Sequence, residues 1–321
     1  MNPPNTPKTA PILLCGVLLL CSVVARAAGD SGDITAVSSK ASSDYKRGRL
    51  PDGSFQPEYY SFGKGGNWGG SISDSTIDKL TFLDVAHVIA EPLARQKYLP
   101  ARDPKTTRLL IMVYWGTTEV PMSATEDPLY NNYQQSVAEY NSLLSQMTGA
   151  PAGVQAALND EADSVLTAGL RQLSIANHRR DQIDFNNAAM LGYDDDGLIG
   201  TEYGKNIEHT ALGTTYKDEV AEIEDNRYFV VLMAYDFQIL WKQRKHKLLW
   251  QTRFSIRERD HQFDRDLPAM AQYASQYFGQ NTHGLVRKQV PLGRVEIGTV
   301  KSLGVVSSEP AADKAPPPAK P

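Results

Sequence analysis

The hydrophobic pattern changes period along this chain, and each change marks an element. Trp250, Thr252, Phe254 and Ile256 alternate with Gln251, Arg253, Ser255 and Arg257. A period of two is that of a strand with one buried face. On Tyr228–Trp241, Phe229, Val231, Met233, Tyr235, Phe237, Ile239 and Trp241 share a face, and Asp236 and Gln238 lie on the other. The polar run Lys242–Lys247 separates the two stretches. Together they predict a long hairpin with one buried face, and so long a first strand predicts a bulge. Leu109–Trp115 is apolar at every position, which predicts a strand covered on both sides. Tyr59–Phe62 reads as a short aromatic strand ahead of a glycine-rich stretch from Gly63 to Gly70.

Helical spacing appears between and around these strands. From about Thr76, Phe82, Val85, Ala86, Ile89 and Leu93 share one face, opposite Asp84, His87 and Glu91. Pro92 is expected to kink or end that helix, because it lacks a backbone donor. Tyr133, Val137, Tyr140, Leu144 and Met147 predict a helix over Tyr130–Met147, broken at Gly149-Ala150-Pro151. Leu158, Ala162, Val165, Gly169, Leu173 and Ala176 predict a longer one over Gly153–Arg179. Leu267, Met270, Ala271, Ala274 and Phe278 mark a last helix from about Asp266, with Pro268 in its first turn and Gly279 as its stop. Arg294–Lys301 adds a short edge strand. The fold class that follows is α+β: a mixed or antiparallel sheet with a long hairpin packed by helices, plus a helical insertion at about 117–226.

The two ends read differently. Lys8, the apolar run Ile12–Val24 and Ala25-Arg26-Ala27 have the order of a secretory signal peptide over residues 1–27, with Ala28 as the mature N-terminus. Whether it is cleaved or retained as an anchor stays open. Leu14 precedes Cys15 and Leu20 precedes Cys21, where lipid attachment needs a small residue. Residues 28–56, rich in Ser, Gly, Ala and Asp, read as a flexible linker, and 305–321 as a disordered Pro-rich tail. Residues 57–304 are then a single domain.

Charge and cysteine narrow the classes of function. The chain has 33 basic and 37 acidic side chains; losing Lys8 and Arg26 leaves 31 basic ones and a net charge of −6. No basic surface for nucleic acid is expected. Both cysteines, Cys15 and Cys21, lie in the signal segment, so the mature chain is held by its core and not by disulfides. No second stretch is long and uncharged enough to span a membrane.

Lys97-Tyr98, Leu109–Gly116, Val230–Asp236, Leu248–Arg253 and Leu267–Met270 together resemble a group of uncharacterised bacterial envelope proteins, often lipoproteins, with a domain of unknown function. The likeness lies in core segments over about half the chain. It implies the strand-helix-strand-hairpin-helix order and an envelope location. The chain lacks the lipoprotein cysteine motif and carries the long insertion. The family brings no catalytic residues to carry over.

The candidate chemistry is sparse. In Gly192–Gly197, Asp194 and Asp196 have the spacing of calcium-loop ligands, with Glu202 nearby, but the first and last loop carboxylates are missing. His87 and Glu91 are helix neighbours without a third ligand. Asp260-His261 suggests a base but has no matching nucleophile. Ser43–Lys46 matches Ser-x-x-Lys without its companion motifs. Trp68, Trp115, Trp241, Trp250, Tyr59 and Tyr60 line either a glycan or peptide groove or simply a core. No catalytic residue and no cofactor site is assigned. The expected function is a non-enzymatic binding or assembly module of the envelope, with an envelope protein or a glycan as partner and no nucleic acid. The alternative is a periplasmic or secreted hydrolase with a site assembled from distant residues.

Overall fold

The computed structural model describes residues 34–71, 73–193, 197–207 and 213–289. The signal segment, the tail, and Arg294–Lys301 lie outside these residues. The strands are β1 (Ile34–Ala41), β2 (Glu58–Trp68), β3 (Tyr98–Pro100), β4 (Leu109–Thr117), β5 (Arg227–Asp236), β6 (Leu248–Arg257) and β7 (Val286–Gln289). The helices are α1 (Ser75–Asp78), α2 (Phe82–Arg95), α3 (Pro128–Met147), α4 (Ala152–Leu191), α5 (Glu202–Ile207), α6 (Gly213–Glu224), α7 (Phe237–Gln243) and α8 (Phe263–Ala274). One sheet runs in the order β3-β2-β4-β5-β6-β1-β7. β2 is parallel to β3 and β4, and every other pairing is antiparallel. The fold is α+β with a mixed sheet.

The main core lies between the sheet and α2 and α8. Tyr60, Ile111, Val113, Trp115, Val230, Leu232, Trp250 and Phe254 meet Val85, Ile89 and Leu93 of α2 and Leu267, Met270 and Ala274 of α8 in one buried cluster. The alternation on β6 is as the sequence predicts, with Val230 opposite Phe254 on this face. α2 begins with a capping box, Thr81 with Asp84, which satisfies its first backbone donors. Pro92 does not stop α2, which runs on to Arg95 with Pro92 buried against the core.

Four expectations need correcting. Residues 28–56 are not a linker throughout: β1 sits inside the sheet between β6 and β7. Its buried residues include Thr35, Ser38 and Ser39, so it shows no apolar period. Ser39 Oγ bonds Thr252 Oγ1 at 2.7 Å and donates to Tyr277 O at 2.8 Å. The first hairpin strand stops at Asp236, whose Oδ1 accepts the Ile239 N–H at 2.9 Å and caps α7. The hairpin does not have a single buried face. Phe229 and Val231 point away from the main core into a second cluster with Ala36, Ala188, Leu191, Ile199 and Ile223. Lastly, the glycine-rich stretch is strand: Gly63, Gly65 and Gly66 belong to β2. A β-carbon on Gly65 would lie 2.7 Å from the Tyr114 ring of neighbouring β4, so glycine makes room for the larger side chains beside it.

Candidate functional site

Between β4 and β5 the chain leaves the sheet and makes α3–α6. α4 has 40 residues, about 60 Å at 1.5 Å per residue. Only its last turns touch the sheet. Gly192, the left-handed C-cap, lies against Ser38 and Arg253. Asn187, one and a half turns earlier, is beyond the strand ends. Its Nδ2 donates to Glu119 O at 2.7 Å and Ile223 O at 3.0 Å, and its Oδ1 accepts the Glu119 N–H at 3.4 Å. The helix therefore runs off the sheet where β4 ends and β5 begins.

Ion pairs surround this root. Arg179 meets Asp127 at 2.8 Å and Lys205 meets Asp181 at 2.7 Å. Arg180 reaches Glu224 at 2.6 Å. Tyr193 lies between the Arg227 and Arg287 guanidiniums, 5.6 and 5.5 Å from its ring. Asp184 is buried, 6% exposed, and its Oδ1 has no hydrogen-bond partner among the described residues. Burial, then the Glu224 charge, push its carboxyl up to about 7, against the pull of Arg180.

Beyond the root, α3 and α4 pack antiparallel as a two-helix arm. Ala162, Gly169 and Ala176 recur every seven residues on the buried seam of α4. A β-carbon on Gly169 would sit 2.6 Å from Ser136 Cβ of α3, so small residues let the helices approach closely. Gln155 Nε2 donates to Met147 O at 3.2 Å near the tip. Because the helices are antiparallel, residues advanced in the same rotational sense from the seam fall on the same side of the arm. That side carries Tyr130, Val137 and Leu144 from α3 and Leu166, Leu170 and Leu173 from α4. All are half-buried but Leu170, which is 48% exposed. The opposite side of α3 carries Asn132, Gln135, Glu139, Ser142 and Gln146. These six residues form a strip between Tyr130 and Leu144 on α3 and between Leu166 and Leu173 on α4, and Asn159 and Asp163 continue it towards the tip as polar side chains.

The acid–base groups are placed in closed settings. His261 bonds Asp266, and not its neighbour Asp260, at 3.0 Å through Nδ1, and its side chain is 1% exposed. Burial raises the Asp266 carboxyl, but hydrogen bonds from His261, Arg265 and the Gln262 N–H outweigh it and hold the group well below the carboxylate range. Tyr45 donates to Glu58 at 2.7 Å and lies 3.1 Å from the Tyr98 hydroxyl. Tyr45 and Glu58 are both buried, so this cluster fastens the segment after β1 to β2.

The residues singled out in the sequence do not converge. Asp194 and Asp196 lie outside the described residues, as does the side chain of Glu202. Glu91 pairs with Arg95 at 2.6 Å, and His87 is exposed. Among the described residues no group of three His, Cys, Asp or Glu is placed to hold a metal. Tyr60, Trp115 and Trp250 are core, while Tyr59, Trp68 and Trp241 are exposed. Trp68 ends β2 and Trp241 lies in α7 past the other end of the sheet, so these two tryptophans form no common groove. Of Ser43–Lys46, Tyr45 is buried in the cluster with Glu58. Sequence reasoning missed Asn187 and Asp184, since a buried polar residue breaks the apolar stripe that marks a helix face. Among the described residues no helix is long and apolar enough to cross a membrane. No protein-family model matches the chain, and no curated protein is detectably similar to it.

Proposed function

We propose that the chain is an exported, non-enzymatic binding or assembly module of the bacterial envelope, and that the α3–α4 arm is the part that engages its partner. The observation that carries this reading is the apolar side of the arm. Helices in solvent turn charge outward, whereas the part of this side nearer the sheet carries Tyr130 and Val137 of α3 beside Leu166, Leu170 and Leu173 of α4. The signal-like order of residues 1–27 supports the location. The closed setting of His261 and Asp266 gives the hydrolase alternative no support.

A photo-crosslinking residue at Leu170, in protein expressed in its native envelope, should trap a discrete adduct. The same residue at Gln135, on the polar side, should not. Equal trapping at both positions, or none at either, would sink the reading.

A further inference from the structure

The end of the sheet away from the arm is basic, although the whole chain is acidic. The end of β5, the start of β6 and the start of β4 lie level there, since Leu109 is opposite Asp236 and Tyr235 is opposite Leu248. From Phe237 to Lys247 the chain carries Lys242, Arg244, Lys245 and Lys247 and no acid, against 33 basic and 37 acidic side chains overall. Lys242, Arg244 and Lys245 are exposed and meet no acid among the described residues; Lys247 pairs with Asp44. The loop between β3 and β4 adds to the cluster. Gln238 Nε2 donates to Pro104 O at 2.9 Å and to Thr107 O at 2.8 Å, and the Phe237 N–H donates to Arg108 O at 2.9 Å. Lys105 and Arg108, both exposed, therefore stand beside α7. The acids nearby are engaged: Asp103 accepts the Lys105 N–H at 2.8 Å, Asp236 caps α7, and Glu58, 3.7 Å from Arg108, is buried.

A solvated turn would account for the cations alone. It does not account for α7, where four of seven residues are Phe237, Ile239, Leu240 and Trp241 and none of them is buried. Phe237 and Trp241 are one turn apart, with ring centroids separated by 6.1 Å, and Trp241 is 45% exposed. An apolar helix left at the surface and followed at once by lysine and arginine has the composition of an interfacial anchor. Rings and aliphatic chains enter the boundary between headgroups and acyl chains, and long basic side chains reach anionic headgroups. A nucleic acid would meet the cations, but its phosphates and bases give Ile239 and Leu240 nothing apolar to enter.

We propose that this end of the sheet is a peripheral docking surface for a membrane rich in anionic lipid. Trp241 sits at the headgroup level, and Lys242, Arg244 and Lys245 lie on lipid phosphates. This goes beyond the reading of the arm and does not depend on it. The arm leaves the sheet at the other end of the same strands, where Thr117 is opposite Tyr228, so docking holds it away from the lipid.

The apolar run Ile12–Val24 can bind lipid by itself, so the test reads Trp241 and not total binding. The full chain is mixed with vesicles of equal parts phosphatidylglycerol and phosphatidylcholine carrying brominated acyl chains. Tryptophan emission should be quenched, and vesicles of brominated phosphatidylcholine alone should not quench it. Trp241→Phe should abolish the effect, because Trp115 and Trp250 are buried and Trp68 lies at the other end of the sheet. Lys242→Gln combined with Lys245→Gln should raise the lipid concentration for half-quenching about 30-fold, at about fivefold per charge removed. Arg171→Gln, on the arm, should leave it unchanged. Both lysines are exposed, so far-UV circular dichroism should not move. Trp241 emission that stays unquenched by phosphatidylglycerol vesicles overturns the inference. So does quenching that is equal on phosphatidylcholine alone, or that survives loss of the two lysines. If the two lysines instead govern retention of duplex DNA while lipid leaves Trp241 unquenched, the patch serves another polyanion and the membrane is wrong.

Discussion

Asn187 is the residue on which the root of the arm turns, and Asn187→Ala tests it. The side chain is fully buried and serves the backbone of two segments, at Glu119 and at Ile223. Truncation removes two good donated bonds, each worth about 0.5–1.5 kcal/mol net. It also leaves the Ile223 carbonyl buried without that donor, at about 1–3 kcal/mol where water cannot enter. A loss of about 2–4 kcal/mol follows. Asn187→Asp keeps the shape but replaces the donor with a carboxylate facing two carbonyl oxygens. Its native pKa must rise above the unfolded value, so the folded state binds the extra proton. The variant should be least stable at high pH and regain stability as pH falls towards the unfolded carboxyl value of about 4. Urea melts at several pH values measure both effects, and hydrogen exchange locates them. The reasoning fails if Asn187→Ala costs under ~1 kcal/mol, or if Asn187→Asp loses stability on acidification faster than the parent.

Phe254→Ala should cost about 3–5 kcal/mol through a cavity under α8, read by denaturant melts; a loss below ~1.5 kcal/mol would mean the core collapses around it. Arg253→Ala should cost more than the ~0.5 kcal/mol of a solvated site, because its side chain lies against Gly192 and the end of α4. Asp184→Asn should stabilise the protein by ~1–3 kcal/mol above pH 7. Its raised carboxyl holds a proton that the unfolded chain releases above about pH 4, so the parent loses stability between pH 4 and 7 and the variant should not. A parallel pH dependence in both would refute this. Gly169→Val should push α3 from α4 and speed hydrogen exchange in the arm while the sheet stays protected; uniform deprotection would refute the separation of arm and sheet.

What the sequence discloses here tracks how one-sided the burial is. β6 gathers Trp250, Phe254 and Ile256 on one face, as α2 gathers its apolar residues, and their periods name Phe254, Val85, Ile89 and Leu93 correctly. The seam of α4 is equally plain at Ala162, Gly169 and Ala176, but on α3 the buried residue is Leu143, outside the stripe the spacing predicts, and Val137 and Leu144 of that stripe lie on the open side. β1 is hidden because both its faces are covered and its buried side chains include Thr35, Ser38 and Ser39. The last three turns of α4 are hidden because their buried side includes Asp184 and Asn187, which composition alone assigns to solvent. The end of β5 is misread because the apolar run continues through Phe237, Ile239 and Trp241, and only the cap at Asp236 shows that the period has changed. The candidate surface could be read from the helical spacing in part, but that the two flanks share a side needs the antiparallel pairing.

The position of β1 has a consequence for how the chain reaches its native state. Val37 lies opposite Phe254 on one side and Val286 on the other. The first strand to emerge during synthesis has no neighbour until the last part of the chain exists. Contacts of such sequence separation close slowly, because the long loop between them must be ordered before they repay it. The sheet cannot close early around its own N-terminus, and a C-terminal truncation before β6 leaves β1 unpaired on both edges.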